Sequence, residues 1–456
     1  MTWFHRRYYA LTWLQRYQIS EYVSRSLWTL PVFGVVAALM AFWPLHGIEA
    51  LIGWRLSIDP SMAVSFLVTL AAAMLTFIVF VSSSLLITVQ LASAQLTPRI
   101  IGLVLQNRVT KFSLTLFVFT FTFTLVSLGR IRGGNVPLIT AYVSAYSCLA
   151  SLGVFLYLID VVCGLLRPSG ALGLAARRGR EVIENVYPQR FSVSEGTAPG
   201  SADVPQGAPR CVIPNLRGGV VLAFDMEGLV SLAQRADCVI EMVPQVGDSV
   251  FADEPLFRIF GGGVTLPVDA LYQSVAIGPE RTLQQDPAFA FRIMVDIASK
   301  GLSPAINDPT TAVLAIDQIQ YLLRLIGGRR LDEGRRRDAT GATRLLYRTP
   351  DWEDFVYLAI TEIRHFGGTS IQVVRRLRAM LEDLVQTLPQ ERTDLLYLEL
   401  ELLKRSAQRS FLEPEDQALA NVSDVQGVGG KYGASKKDGE VETIRNHPTQ
   451  NVSGEK

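Results

Sequence analysis

Hydrophobic residues run almost unbroken from Met62 to Gln95, a stretch far longer than a soluble helix needs. A bilayer core of about 30 Å takes about 20 helical residues, so this pattern predicts a helix that crosses a membrane and projects beyond it. A polar residue recurs at every seventh position, at Thr69, Thr76, Ser83, Gln90 and Thr97. These five residues, hereafter the polar strip, indicate that the helix is more than a lipid anchor.

The polar strip has two interpretations. Polar residues in membrane helices gather where helices meet or where water enters, because hydrocarbon offers no hydrogen bonds. Ser and Thr can bond the carbonyl four residues back, and a heptad drifts about 20° per repeat on a straight helix. These facts favour an inward, protein-facing packing seam. The alternative is a permeation path, whose uncharged lining would have weak charge selectivity.

The hydropathy of the first 168 residues predicts four transmembrane helices. They run from Leu27 to Leu45, from Met62 to Gln95, from Phe112 to Leu128, and from Pro137 to about Leu166. Residues 1–25 are aromatic and basic, and no small-residue cleavage site follows the apolar run. We therefore expect residues 1–25 to form an amphipathic segment on the membrane surface, ahead of a four-helix transmembrane domain at 26–168.

The positive charges of the loops predict the orientation. One side of the membrane would carry Arg6, Arg7, Arg16, Arg25, Arg99, Arg108, Lys111, Arg167, Arg177, Arg178 and Arg180. The opposite side would carry only Arg55, Arg130 and Arg132. Because cytoplasmic loops are enriched in Lys and Arg, both termini are predicted to be cytoplasmic, and the large C-terminal portion to be cytosolic.

The cytosolic portion is predicted to be α+β. Residues 169–216 read as a linker, and the short β-branched runs of 217–278 predict a small β-barrel or sandwich-like module. Apolar residues at three- and four-residue spacing predict a helical bundle within 279–420. Residues 421–456 are rich in Gly, Ser, Lys, Glu and Asn, so we expect a disordered tail.

Two capped helices are predicted in the most strongly patterned part of this portion. An Asp at the N-cap, a Pro at the first helical position and a Gly near the C-terminal end recur in both. The residues are Asp286, Pro287 and Gly301 for the first helix, and Asp308, Pro309 and Gly327 for the second.

A candidate anion site accompanies the second of these helices. Free amides at its start, with cationic and hydroxyl side chains nearby, could hold a phosphate or a lipid headgroup. The candidate residues are Arg281, Arg292, Lys300, Thr310 and Thr311. The plainer interpretation is helix capping with a solvated charge ladder, since Asp296 and Lys300 form a common i,i+4 pair.

Composition and motifs exclude several classes of protein. The net charge of +1 gives no indication of a nucleic-acid partner, and the four cysteines and four histidines lack metal-ligand spacing, so neither a metal nor a cofactor is expected. The chain carries no GxSxG or HExxH motif and no Asp or His pair within the predicted spans, where Asp160 is the one nearby acid. Enzymatic activity is therefore the least supported function.

Three segments carry a family resemblance. SLWTLPV at Ser26–Val32, LASAQLTPRI at Leu91–Ile100, and ERTLQQDPAFAFRIMVDIASKGLSPAINDPTTA at Glu280–Ala312 resemble the domain of unknown function 2254 family of bacterial predicted membrane proteins. The similarity covers about Ser26 to about Ala420. It implies a multi-pass protein of the bacterial plasma (inner) membrane with a cytosolic C-terminal half, and it implies no reaction.

Two functional hypotheses remain. The first is a channel- or transporter-like homo-oligomer in the lipid bilayer, with a cytosolic regulatory domain. The second is a membrane-tethered sensor or scaffold whose cytosolic domain binds an anionic ligand, a lipid headgroup or a protein partner.

Overall fold

The computed structural model describes residues 11–52, 59–131, 138–192, 207–262, 266–331 and 333–430. Several predictions above fall on positions outside the described residues. They concern residues 1–10 of the N-terminal segment with Arg6 and Arg7, the loop arginines Arg55 and Arg132, Pro137, residues 193–206 of the linker, and residues 431–456 of the tail.

The first part of the described chain is helical. Its helices are α1 (Trp13–Arg25), α2 (Thr29–Ile52), α3 (Pro60–Gln95), α4 (Ile101–Leu105), α5 (Arg108–Leu128) and α6 (Leu138–Leu166). Four of them, α2, α3, α5 and α6, contain segments long and apolar enough to cross a membrane, in agreement with the four predicted spans. The second predicted span is α3, whose 36 residues extend about 54 Å.

The first span is longer than predicted. The helix continues beyond Leu45 to Ile52, with Pro44 inside it. Proline lacks an amide hydrogen and usually interrupts a helix, which is why the sequence pattern suggested an end near Leu45. As a consequence His46 and Glu49 lie on α2 and not in a loop.

The third span, α5, is the central helix of the membrane region, because it contacts α2, α3 and α6. A Cβ atom placed on Gly34 of α2 would lie 2.7 Å from the carbonyl oxygen of Thr115 on α5. That distance is too short for any side chain, so glycine allows the backbones of α2 and α5 to approach this closely.

The C-terminal region is built from helices and two sheets. Its helices are α7 (Pro168–Val186), α8 (Met226–Ala236), α9 (Val268–Tyr272), α10 (Pro287–Gly301), α11 (Pro309–Gly327), α12 (Trp352–Gly367), α13 (Ile371–Thr387), α14 (Asp394–Ser410) and α15 (Pro414–Ala420). Its strands are β1 (Cys211–Pro214), β2 (Gly219–Phe224), β3 (Cys238–Met242), β4 (Ser249–Val250), β5 (Pro255–Gly261), β6 (Val275–Gly278), β7 (Arg335–Arg337) and β8 (Thr343–Tyr347).

A helix occupies the start of the predicted linker. Residues 169–216 were predicted to be a linker, yet α7 covers Pro168–Val186 and packs against α10 and α11. Its buried residues recur with helical spacing: Ala171, Leu172, Ala175, Ala176, Gly179, Val182 and Ile183. Because most of these side chains are small, the apolar pattern was less visible than in the other helices.

The strands that the structure describes form two sheets with one shared core. The five-stranded sheet has the order β1-β5-β3-β8-β7, with β3 and β8 parallel, and the three-stranded sheet has the order β4-β2-β6. The predicted module at 217–278 therefore receives β1 from the predicted linker and β7–β8 from the predicted helical domain. Pairing between β3 and β8 joins segments about 100 residues apart, which local sequence patterns do not reveal.

The helical part of the C-terminal region shares its core with the membrane helices. One continuous hydrophobic cluster includes Ala92 and Leu96 from the end of α3, Leu165 from the end of α6, and the buried faces of α7 and α10–α14. The two halves of the chain are thus joined by packing and not only by the backbone.

The first ten residues of the predicted disordered tail are ordered. Residues 421–430, hereafter the C-terminal strap, lie against α13, where Arg375 donates to the carbonyl oxygens of Val422, Gly429 and Gly430 at 2.9–3.0 Å. The Asp424 carboxylate accepts three backbone amides of the same strap. These hydrogen bonds replace the apolar contacts that the composition of the strap lacks.

Candidate functional site

The polar strip lies on the outside of the single-chain fold over most of its length. Thr69, Thr76, Ser83 and Gln90 are exposed, and only Thr97 is buried. The strip was interpreted as an inward-facing side, but within one chain the inward-facing side of α3 is apolar. It comprises Ala63, Leu67, Ala71, Met74, Val81, Leu85, Thr88 and Ala92. At 100° per residue these buried positions are opposite the polar strip.

Hydrogen bonding differs along the polar strip. The hydroxyls of Thr69 and Thr76 donate to carbonyl oxygens four residues back, at 2.8 and 2.9 Å. Thr97 accepts from the amide of Arg99 and begins the short turn that follows α3. For Ser83 and Gln90, the described part of the chain supplies no hydrogen-bond partner. The strip therefore keeps unused hydrogen-bonding capacity in its second half.

Most buried hydroxyls of the membrane region belong to α5 and α6. They are Thr110, Ser113, Thr120, Thr124 and Ser127 on α5, and Thr140, Ser144 and Ser151 on α6. Thr120 and Ser151 join the two helices by a hydrogen bond of 3.1 Å. The heptad Ser113, Thr120 and Ser127 is visible in the sequence and would have indicated this face.

The junction between α3 and the C-terminal region is made by two cations and an acid. The Lys300 ammonium of α10 donates to the carbonyl oxygen of Ser93 at 2.9 Å, in the last turn of α3. Arg99, in the short turn that follows α3, forms an ion pair with Asp296 of α10. Together with the shared core, these contacts hold the end of α3 against α10.

Arg292 extends the junction to α12. Its guanidinium donates to Asp296 at 2.7 Å and to Glu362 of α12 at 2.8 Å. Both carboxylates hold the pKa of Arg292 above its usual range, and Arg292 in turn lowers the pKa of Glu362. Arg99, Asp296, Arg292 and Glu362 therefore form one chain of alternating charges from α3 to α12.

The pKa of Glu362 leads to a pH-dependent prediction. Because this pKa is lower in the folded protein, the pair stabilises the fold above the unfolded pKa of about 4, and the stabilisation is lost as the pH falls through the folded value. We expect Glu362→Gln to cost about 0.5 kcal/mol at pH 7, since the side chain is partly exposed, and less at pH 3, below the unfolded pKa. Thermal unfolding at both pH values measures this.

The matched control is Glu401→Gln, at an exposed position of α14. An equal loss of stability for both variants at pH 7, or a Glu362→Gln defect as large at pH 3 as at pH 7, would contradict the role of Glu362 in the ion pair.

Arg281 lies at the other end of α10. It donates to the Asp286 carboxylate at 2.9 Å, and its guanidinium lies 5.7 Å from the ring centroid of Phe289. Asp286 is the N-cap of α10, where it accepts the amide of Phe289 at 3.0 Å and is followed by Pro287. Burial raises the pKa of Asp286, and Arg281 opposes that rise.

Asp308 and Pro309 begin α11 in the same way. The Asp308 carboxylate accepts the amide of Thr311 at 3.1 Å and its hydroxyl at 2.5 Å, while Thr310 is exposed. Gly301 is the last residue of α10, where a Cβ atom would lie 3.0 Å from the Asp308 carbonyl oxygen. The start of α11 therefore already holds a carboxylate of its own chain.

The residues of the candidate anion site are not gathered at one place. Arg281 is next to the start of α10, Arg292 lies in its middle, and Lys300 lies near its end, about 20 Å from the start. Each binds an acceptor within the chain, as described above. The arrangement joins α3, α10 and α12 and leaves no common anion-binding centre among these residues.

Comparison with known proteins agrees with the membrane architecture. The family model described as "Predicted membrane protein (DUF2254)" matches residues 24–383. The chain belongs to this family. It is also 26% identical over 425 residues to an uncharacterized protein of Mycobacterium bovis and to one of Mycobacterium tuberculosis, covering 89% of this chain and 80% of each relative. No solved structure matches.

In this family member, polar groups also lie where the end of α2 meets the start of α6. Glu49, near the end of α2, is buried, and its carboxylate accepts the amide of Ile139 at the start of α6, at 2.7 Å. Its second oxygen and Nδ1 of His46, one turn earlier, are buried without a hydrogen-bond partner in the described structure. This pair was not among the candidate residues because the first span was predicted to end at Leu45.

Among the described residues, His46 and Glu49 are not part of a larger cluster of acidic and imidazole side chains. Within the described ranges, no group of three or more His, Cys, Asp or Glu side chains has an arrangement that could hold a metal ion. Glu49 connects α2 to α6, and the described residues around Glu49 and His46 supply no third ligand.

Proposed function

We propose that this membrane protein is a channel-like homo-oligomer of the bacterial inner membrane, with both termini in the cytoplasm. In this assembly the α3 helices of several copies face one another. One observation carries the proposal: the polar strip of α3 is exposed on the side opposite to the face that packs within the chain.

The dimensions of the strip support a transmembrane interface. Thr69 and Gln90 are 21 residues apart, which corresponds to about 32 Å along a helix and matches the hydrocarbon thickness of about 30 Å. A glutamine amide has two donors and an acceptor oxygen, and lipid chains satisfy none of them. A second copy of α3, or water between the copies, would satisfy Gln90 and Ser83.

The chemistry of the strip limits what could pass. Its exposed part has three hydroxyls and one amide and no charge, so a water-filled path along it would select by size and hydration more than by the sign of charge. If the α3 helices pack without water between them, the same face is a seam that holds the oligomer together, and the experiments below separate these two outcomes.

The C-terminal region would regulate this assembly through α3. Lys300 and Asp296 of α10 contact Ser93 and Arg99 at the end of α3, so a displacement of α10 would move that helix end. This junction equally supports the alternative of a membrane-tethered sensor, in which the spans supply location and the C-terminal region binds the ligand. A sensor would keep the contacts between α3 and α10 but would conduct no ions or solutes.

Two adjacent serines provide a matched test of the interface. Ser83 belongs to the polar strip, whereas Ser82 is also exposed but lies 100° away around α3. In a chain whose own cysteines have been replaced, we expect Ser83→Cys to form disulfide-linked dimers in membranes at least about tenfold faster than Ser82→Cys. Equal rates of cross-linking at the two positions would contradict an α3 interface.

Flux measurements distinguish a path from a seam. Protein reconstituted in liposomes is expected to release small ions or uncharged solutes, and Ser83→Leu and Gln90→Leu are expected to change that flux by about tenfold, whereas Ser82→Leu leaves it unaltered. Rapid cross-linking without flux would identify a packing seam, and would then favour the sensor over the channel.

A further inference from the structure

A cavity of about 460 Å³ lies between α1 and the three-stranded sheet. Its wall combines residues of α1, of the connection to α2, and of β2 and β6. They are Tyr17, Gln18, Glu21, Tyr22, Arg25, Ser26, Leu27, Trp28, Leu222, Ala276 and Ile277. Cavities of this volume commonly hold small molecules.

The cavity lies at the point where the chain enters the membrane. Trp28 directly precedes Thr29, the first residue of the first candidate span. The Trp28 and Tyr22 side chains are exposed, and their rings meet edge to face with centroids 6.2 Å apart. Tryptophan and tyrosine concentrate at the headgroup level of membranes, which places the mouth of the cavity beside lipid headgroups.

One side of the cavity is polar. Arg25 forms an ion pair with Glu21, which also accepts from Gln284, and the Arg25 side chain remains about one-third exposed. An arginine carries five N–H donors, so this single ion pair leaves donors for another acceptor. Next to it, the Ser26 hydroxyl is buried and has no hydrogen-bond partner among the described residues.

A phenol group of α1, that of Tyr17, also lines the cavity, and Thr29 directly follows the cavity residue Trp28 in the chain. Burial raises the pKa of Tyr17 to about 12, so its phenol stays neutral and keeps its proton. Thr29, at the start of α2, is only 8% exposed, and its hydroxyl likewise has no partner in the described structure. The start of α2 thus combines the free amides of a helix N-terminus with a buried, unsatisfied hydroxyl.

The opposite side of the cavity is apolar. Leu222 and Ala276 are buried side chains of the sheet, and Ile277 and Leu27 complete this wall. An inorganic anion would use the polar side and leave the apolar side facing water. A ligand that fits both sides has an anionic head joined to hydrocarbon.

The charge near the cavity is compatible with such a head. Lys111 of α5 donates to the carbonyl oxygen of Val23 at 2.9 Å and to that of Ser24, which offsets the negative end of the α1 helix dipole. Glu21 is balanced by Arg25. The surroundings of the cavity therefore carry no excess negative charge to repel a phosphate.

We propose that the cavity binds one phospholipid molecule, with its phosphate at Arg25 and Ser26 and the first part of its acyl chains along Leu222, Ala276 and Ile277. The lipid links α1 and the start of α2 to the three-stranded sheet. This binding site is independent of whether the protein conducts, because none of the residues that line the cavity belongs to α3.

The full-length protein, purified in detergent and freed of lipid, provides the test. The probes are dihexanoyl phosphatidylglycerol, inorganic phosphate, and an alkyl maltoside of equal chain length. We expect saturable binding of the phospholipid in native mass spectrometry and a rise in unfolding temperature with its concentration. Neither phosphate nor the maltoside should reproduce these effects. Equal stabilisation by phosphate alone, or by the maltoside alone, would overturn the proposal.

A variant of Arg25 locates the site. Arg25→Gln is expected to weaken phospholipid binding about tenfold, whereas Arg16→Gln, on an exposed position of the same helix, should leave it unaltered. If both variants bind as tightly as the unaltered chain, or if both weaken equally, the headgroup is not held by Arg25.

A measurement on the unaltered chain tests the binding site without depending on whether the variant folds. A phospholipid with a photoreactive diazirine in its acyl chain should label peptides that contain residues 17–28 and 276–277 in preference to the lipid-exposed face of α3. Labelling that is confined to the membrane spans would exclude the cavity as the binding site.

Discussion

Replacing Gly179 by alanine is expected to lower the unfolding temperature, whereas replacing Gly173 by alanine, less than two turns earlier on the same helix, is expected to raise it. A Cβ atom on Gly179 would lie 2.8 Å from the Ala290 Cβ atom and 2.8 Å from the Leu322 Cδ1 atom. A Cβ atom on Gly173 would meet only the end of the Arg177 side chain at 3.5 Å. The two substitutions are chemically identical and differ only in their surroundings.

The expected magnitudes have opposite signs. Overpacking between α7, α10 and α11 costs about 1–3 kcal/mol at Gly179, because Ala290 cannot rotate away and the backbones must separate. At Gly173 the gain is about 0.5–1 kcal/mol, since alanine restricts the unfolded chain and favours the helix. Scanning calorimetry or dye-based unfolding in detergent would detect shifts of a few degrees in each direction.

Two results would contradict this description of α7. If Gly179→Ala is as stable as the unaltered chain, α7 does not pack as closely on α10 and α11 as the structure describes. If Gly173→Ala is destabilising by a similar amount, the effect of glycine replacement belongs to the helix as a whole and not to the contact at Gly179.

Replacing Arg375 by methionine is expected to release the C-terminal strap and to cost about 3 kcal/mol or more. The side chain is only 1% exposed and holds three carbonyl oxygens of the strap, those of Val422, Gly429 and Gly430. A hydrogen bond to a charged group contributes about 1.5–3 kcal/mol, and methionine matches the volume of arginine without supplying a donor. Exposure of the carbonyl oxygens to water, once the strap detaches, limits the total loss.

Limited proteolysis followed by mass spectrometry measures release of the strap. We expect cleavage within residues 421–430 to become at least tenfold faster in Arg375→Met, and the unfolding temperature to fall by several degrees. The control is Arg405→Met, at an exposed position of α14, which should alter neither quantity by much. Unchanged proteolysis in Arg375→Met would show that the strap is held by other contacts.

Features encoded by neighbouring residues were predictable from the sequence. The four spans follow from hydropathy, and α10 and α11 begin at the predicted Asp-Pro pairs because an N-cap and the first turn lie within four residues of each other. The helices α12, α13 and α14 were recognisable for the same reason, since each has apolar residues at helical spacing.

Features that depend on distant partners were not predictable. Charged residues on a helix usually occupy its solvated face, yet Arg375 and Arg376 of α13 are buried because the strap and Asp317 supply acceptors from far along the chain. The polar strip could be located on α3, but the side of α3 that packs is decided by α5 and α6. The position of β8 in the sheet was not predictable for the same reason, since its pairing partner β3 lies about 100 residues earlier, and β7 joins the sheet through β8.

The contacts of α1 have a consequence for biosynthesis. Its last carbonyl groups are bound by Lys111, and Glu21 near its end is bound by Gln284, so the partners of α1 emerge from the ribosome long after α1 itself. About 170 residues separate Lys111 from Gln284. At roughly 5–20 residues per second, roughly 10–35 s pass between the synthesis of Lys111 and that of Gln284. Through that interval the last two membrane helices, α5 and α6, can be inserted while the amino-terminal helix has yet to reach its final position.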